Sequence, residues 1–86
     1  MNKLWLIELI KLPNIGIAEE LPLFTAFALL KKYGNVNVVS DENGKVEYQC
    51  DIDEVISNGI TEDIIMKLGQ NGWGLDESNS KIIKKL

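Results

Sequence analysis

Between residues 35 and 50 apolar and polar side chains alternate on both sides of a turn. Val36 and Val38 alternate with Asn35 and Asn37, and Val46, Tyr48 and Cys50 alternate with Glu47 and Gln49. Successive side chains of a strand point to opposite faces, so the pattern predicts two strands with one wet face each, over residues 36–40 and 45–50. Asp41-Glu42-Asn43-Gly44 joins them, and Asn-Gly can take the positive φ that a tight hairpin turn needs. The rest of the chain must cover the dry face.

Four other segments are candidates. Residues 3–12 are rich in Leu, Ile, Glu and Lys, all good helix formers. At about 100° per residue Lys3, Glu8 and Lys11 gather on one side, leaving Leu6, Leu9, Ile10 and Leu12 to face inward with Trp5. Pro13-Asn14 ends the element. A buried strand is the rival reading of so short an apolar run. Residues 19–33 read as a second helix, with Glu19 and Glu20 at its positive end, Pro22 in its first turn, Lys31 and Lys32 in its last turn and Gly34 as its stop. From Leu23 to Leu30 only Thr25 is polar, so this helix is either the central core element or half of a subunit interface.

Residues 51–58 form a short helix capped by Asp51, with Glu54 as the returning acid of a capping box and Ile52, Val55 and Ile56 on its buried side. Thr61 caps another helix over residues 61–71, with Ile60 and Ile65 as a hydrophobic staple and Asn71-Gly72 as its stop. Residues 73–86 form a second hairpin turning over Asp76 to Ser80. The rival here is a terminal helix burying Ile82, Ile83 and Leu86. The fold is therefore α+β: an N-terminal helical pair, a β-hairpin, two short helices and a C-terminal hairpin or helix. If the first element is a strand, the order permits a ferredoxin-like βαββαβ sandwich instead.

A chain of 86 residues, 45% hydrophobic and 26% charged, is expected to form one domain, residues 1–86. Its nine basic residues are all lysines, and it has neither histidine nor arginine. Without histidine the Ser/His/Asp and Cys/His nucleophilic sets are excluded, and the commonest metal ligand is missing. The expectation is a non-enzyme with no cofactor and no metal. Cys50 is the only cysteine, which excludes an intramolecular disulfide and reads as a small core residue. The longest uncharged stretch, Leu21 to Leu30, is too short to span a membrane, and no signal-peptide cleavage site follows the apolar N-terminus. A cytoplasmic location is expected. The abundance of Lys, Asn and Ile is that of AT-rich coding sequence, which points to a low-GC bacterium or a phage of one.

Charge is unevenly spread, from +1 over residues 1–40 to −8 over residues 41–77 and +3 over residues 78–86. Asp41, Glu42, Glu47, Asp51, Asp53 and Glu54 form the acidic middle. Asp51-Ile52-Asp53-Glu54 lacks the turn glycine and loop length of a calcium site, so these acids read as solvated or capping residues, or as a surface that docks a basic partner. Residues 51–70 also have the spacing of a helix-turn-helix, and with a hairpin after them the ensemble looks like a winged helix. Thr61 and Lys67 would then lie on the recognition helix, with Lys81, Lys84 and Lys85 near the wing to meet phosphates. Glu62 and Asp63 at the exposed start of that helix oppose the reading.

Leu12-Pro13-Asn14-Ile15-Gly16 resembles the turn of helix-hairpin-helix modules, but Asn14 stands where the first glycine belongs and acids follow, so it reads as an ordinary connection. Gly69, Gly72 and Gly74 follow a helix C-terminus, where a phosphate cradle would precede a helix. Trp5 and Trp73 are core or interface anchors. The leading functional expectation is a small acidic protein-binding module, a regulator, inhibitor or accessory subunit. It would dock another protein, or a second copy as a homodimer, through the acidic surface and an exposed apolar helix face. The alternative is a winged-helix DNA-binding protein using residues 51–85.

Overall fold

A computed structural model describes residues 1–12 and 20–86. The elements run α1 (Lys3–Lys11), α2 (Leu23–Lys31), β1 (Val36–Ser40), β2 (Val46–Asp51), α3 (Ile52–Ser57), α4 (Glu62–Gln70), β3 (Gly74–Asp76) and β4 (Lys81–Lys85). The strands form one antiparallel sheet in the order β1-β2-β4-β3. The architecture is the expected α+β, with hairpins at both places the alternation and turn residues indicate. The first element is a helix, so the ferredoxin-like alternative fails for want of its first strand. The alternative of a terminal helix fails as well, because Lys81 to Lys85 pair with β2 on one side and β3 on the other.

Local signals explain most boundaries. Asn2 accepts the Trp5 N–H at 2.8 Å to start α1. Asp51 accepts the Glu54 N–H at 3.1 Å to start α3, and Thr61 accepts the Ile64 N–H at 3.4 Å to start α4. Gly59 and Gly72 end α3 and α4 at φ of 85° and 87°, in the left-handed region that glycine enters without a Cβ penalty. Three expectations need correction. α2 starts at Leu23, later than residue 19, because Pro22 disfavours helical geometry at Leu21 and itself serves as an extended N-cap with ψ of 147°. Glu54 does not fold back onto its own helix; its Oε1 accepts the Asn35 N–H at 2.6 Å and so anchors the start of β1. Gly34 has no positive φ; a Cβ there would lie 2.8 Å from Glu54 Oε1, so its role is close approach to α3.

The ladders are in a register that puts Val36, Val38, Val46, Tyr48, Cys50, Ile82, Lys84 and Leu75 on one face. Helices cover that face. Leu6, Leu9 and Ile10 of α1, Ala26 and Leu30 of α2, Ile52 and Val55 of α3, and Ile65 and Leu68 of α4 are buried there with Cys50, Trp73 and Ile82. Among the described residues no polar or charged side chain is buried. The chief partner of α1 is α4 rather than α2, so the N-terminal helices are a pair in sequence more than in space. Leu12 and Trp5, expected to face inward, are 48% and 41% exposed, because the α1 face that meets α4 is the one carrying Leu6, Leu9 and Ile10.

The α1–α4 contact is close enough to require a glycine. A Cβ at Gly69 would overlap the Ile10 carbonyl oxygen. Helix propensity alone favours Ala over Gly by about 1 kcal/mol. Gly69→Ala is nevertheless expected to destabilise the fold by roughly 1–3 kcal/mol, since main chain must move apart to admit the methyl group. Urea denaturation measures it, and a stabilised variant would mean that the helices are not in this contact.

Candidate functional site

The face of the sheet opposite the helices carries Asn37, Val39, Glu47, Gln49, Asp51, Asp76, Lys81, Ile83 and Lys85, by the alternation of each strand. Two acids expected to dock a partner, Glu47 and Asp51, stand here with two lysines expected to touch phosphate, Lys85 and Lys81. They are cross-strand neighbours: Glu47 is opposite Lys85 and Asp51 is opposite Lys81. Lys81 Nζ lies 3.4 Å from Asp51 Oδ2, and Glu47 accepts a hydrogen bond from Gln49 Nε2 at 2.7 Å. Opposite charges in such pairs stabilise a ladder and cancel each other's far field. A shallow depression of about 400 Å³ near the first hairpin has the same mixed character, with Asp41, Glu47, Lys45 and Lys85 in its wall.

Of the other expected docking acids, Asp41 shares that depression with Glu47, and Asp41, Asp53 and Glu54 are tied into the fold. Asp41 Oδ1 accepts the N–H groups of Asn43 and Lys45 at 2.8 and 2.9 Å and so shapes the hairpin turn, where Glu42 is exposed. Asp53 lies 3.9 Å from Lys3 on the surface, and Glu54 anchors Asn35. The six acids therefore run from the hairpin tip along β2 to the first turn of α3 without forming one patch.

The candidate nucleic-acid residues are divided in the same way. Thr61 caps α4, and Lys67 pairs with Asp63 at 3.3 Å one turn earlier. Lys84 is on the helix-covered face, where its Nζ donates to the Asn71 carbonyl at 3.1 Å beyond the C-terminus of α4, a favourable place for a cation. Lys81 and Lys85 point to the other face of the sheet. Glu77, in the turn between β3 and β4, pairs with Lys11 at 3.1 Å. The helix-hairpin-helix-like turn extends over residues 13–16, outside the described residues. Among the described residues no three His, Cys, Asp or Glu side chains gather as a metal ion would need.

Cys50 is fully buried, and burial first, then the charges of Glu54 and Asp51, push its thiol up to about 11. It is a core side chain with little thiolate at neutral pH. The backbone N–H of Glu54 holds the Asp51 carboxyl below the usual range against the opposing effect of burial, and Lys81 lowers it further.

A surface that charge-based reading did not single out is apolar. α2 buries only Ala26 and Leu30. Phe24 is 83% exposed, and a groove of about 440 Å³ opens between Leu23, Phe24, Phe27 and Tyr48. Tyr48 stacks on buried Trp73 with ring centroids 6.5 Å apart and meets Phe27 at 5.4 Å, so the floor is packed aromatic surface. Lys31 Nζ lies 5.4 Å from the Phe27 ring centroid at the rim. Val38, opposite Tyr48 in the ladder, is 60% exposed beside it. The signal for this site was the all-round apolarity of residues 23–30.

Among the described residues no helix is long and apolar enough to cross a membrane. Comparison with known proteins finds no match: no family model fits the chain, and no curated protein or solved structure is significantly similar to it.

The joint role of Asp51 makes its removal measurable. Asp51→Ala is expected to cost about 1–2 kcal/mol at neutral pH through loss of the cap, and Asp51→Asn less, because an amide still caps but cannot pair with Lys81. A carboxyl lowered in the fold contributes stability above its unfolded value near 3.8 and loses it as pH falls through the folded value. The gap between wild type and Asp51→Asn should therefore close in acid, as denaturation curves from pH 7 to pH 2 would show; a gap that does not change with pH would remove the carboxylate's charge from the account.

Proposed function

We propose that this chain is a small protein-binding module, a regulator, inhibitor or accessory subunit, that docks through the apolar flank of α2 and the aromatic groove beside it. One observation carries the reading: a phenylalanine 83% exposed at the mouth of a groove floored by packed aromatic rings. Aromatic anchors around a preformed apolar depression are what binding hot spots are made of, and leaving such a ring in water is unfavourable unless something covers it. Of the two docking surfaces the sequence suggests, this one has the support. The acids contribute at the margins, because Asp51 and Asp53 stand against lysines and Asp41, Asp51 and Glu54 are committed to backbone N–H groups.

A second reading has one observation in its favour. β2, α3, α4, β3 and β4 follow in order, and β4 pairs with both β2 and β3, which is the arrangement of a winged helix. Charge argues against DNA as its ligand. The first turn of α4 carries Glu62 and Asp63, and Lys67, Lys81 and Lys84 are each engaged inside the protein. Phosphate binding needs cations that are free to displace counterions.

Phe24 replaced by a photoreactive benzoylphenylalanine, with the same residue at exposed Ser57 as the control, tests the main reading in cells. Covalent adducts are expected from position 24 and not from position 57. Absence of adducts at position 24, or equal yields at both, would overturn the assignment. Titration of a labelled duplex at low and at physiological salt tests the second reading, and no salt-sensitive binding is expected.

A further inference from the structure

The sheet has two edges, and only one is closed by its own construction. β3 is three residues long and packs against α1. β1, at the other edge, has five residues, Val36-Asn37-Val38-Val39-Ser40, with no charge, no proline and no bulge. Short length, charges, prolines and bulges are the devices by which proteins keep edge strands from pairing. β1 has none of them, and Val38 and Val39 are 60% and 42% exposed along it.

The ladder also shows which backbone groups are open. Asp41 donates its N–H to the Lys45 carbonyl at 2.9 Å, and the two are opposite in the same register as β1 and β2. Hydrogen-bonded pairs alternate along an antiparallel ladder, so Val39 and Asn37 bond to β2 while Val36, Val38 and Ser40 direct their N–H and C=O outward. The far side agrees: Val46, opposite Ser40, gives its carbonyl to the Leu86 N–H at 3.0 Å, away from β1.

We propose that β1 is a self-association edge: two copies of this chain pair β1 against β1, antiparallel, about a two-fold axis at Val38. Only that centre lets all three outward-facing residues pair, with Val36 opposite Ser40 of the second copy and Val38 opposite Val38. The side chains of Val36, Val38 and Ser40 then meet on the helix-covered face, next to α2. A second copy is the occupant the edge fits, since an uncharged strand meets its own copy without the repulsion that a chain of net charge −4 would meet elsewhere. The inference rests on reading this end of the molecule as an interaction surface and names the partner there.

Val38→Pro is the decisive variant. Its N–H points away from β2, so the ring removes an outward donor and spares the β1–β2 ladder. Sedimentation equilibrium of the purified protein from micromolar to millimolar concentration should show a monomer–dimer equilibrium. Val38→Pro should weaken it by about tenfold or more, the scale of losing a reciprocal hydrogen-bonded pair, with the circular dichroism of the wild type. If the variant fails to fold, amide exchange of the wild type takes its place. The amides of Val36, Val38 and Ser40 should gain protection as concentration rises, and unchanged exchange rates would refute the pairing. A wild type that stays monomeric, or a dimer indifferent to a folded Val38→Pro, refutes it too. Adducts from position 24 to a different protein in the Val38→Pro background would leave the docking reading standing while the pairing fell.

Discussion

The junction between β2 and α3 holds the remaining elements in place. The strand ends at Asp51 and the helix begins at Ile52, with no residue between them. One side chain therefore serves both elements. As a strand residue Asp51 sits opposite Lys81 and pairs with it; as an N-cap it accepts the Glu54 N–H. The Ile52 N–H continues the ladder to the Ser80 carbonyl at 2.9 Å, although Ile52 is already helical. From the first turn of the same helix Glu54 anchors Asn35, and Lys3 of α1 reaches both Asp53 and the Ser80 hydroxyl. Both hairpins, α1 and α3 meet within a few residues. Beneath them Cys50, Ile52 and Val55 are sealed from solvent, and the same burial keeps the thiol protonated.

That junction also decides what the charges can do. Along the chain the acids and the C-terminal lysines occupy separate blocks, which invites one acidic and one basic surface. Antiparallel pairing of β2 with β4 sets Glu47 against Lys85 and Asp51 against Lys81. A field that extends beyond the surface needs charges of one sign gathered in one place, and the register interleaves them. A basic protein or a nucleic acid therefore meets little net field on this face, and the proposed docking rests on apolar contact instead.

What could be read in advance was local. Caps at Asp51 and Thr61, stops at Gly59 and Gly72, and the alternation around Asn43-Gly44 each depend on a few adjacent residues, and each stands as expected. What could not be read depends on partners far along the chain. The destination of Glu54 required knowing that Asn35 would lie beside it. The need for glycine at position 69 required the carbonyl of Ile10, and the pairing of Glu47 and Asp51 with lysines required the β2–β4 register. The exposure of α2 is the sharpest case. An apolar residue at nearly every position carries no phase, so periodicity could narrow the helix to core or interface but could not choose. The groove was legible as apolar residues and invisible as a place.

The position of α2 follows from the width of the sheet. Strands are spaced about 4.8 Å apart and a helix is about 10 Å across, so each helix covers roughly two strands. α1, α3 and α4 enclose the side formed by β2, β4 and β3 with Trp73 and Leu75. β1 extends the sheet past that cover, and α2 is the helix placed over it. A helix at the margin can bury only the face turned to the sheet, here Ala26 and Leu30. Among the described residues nothing covers its outer flank, where Phe24 is 83% exposed. The same step in width thus produces an edge strand with outward hydrogen-bonding groups and an apolar helix flank that the other described elements leave open. The two open surfaces lie side by side because they have one cause, and a partner that extended the sheet past β1 would stand where the flank of α2 needs cover.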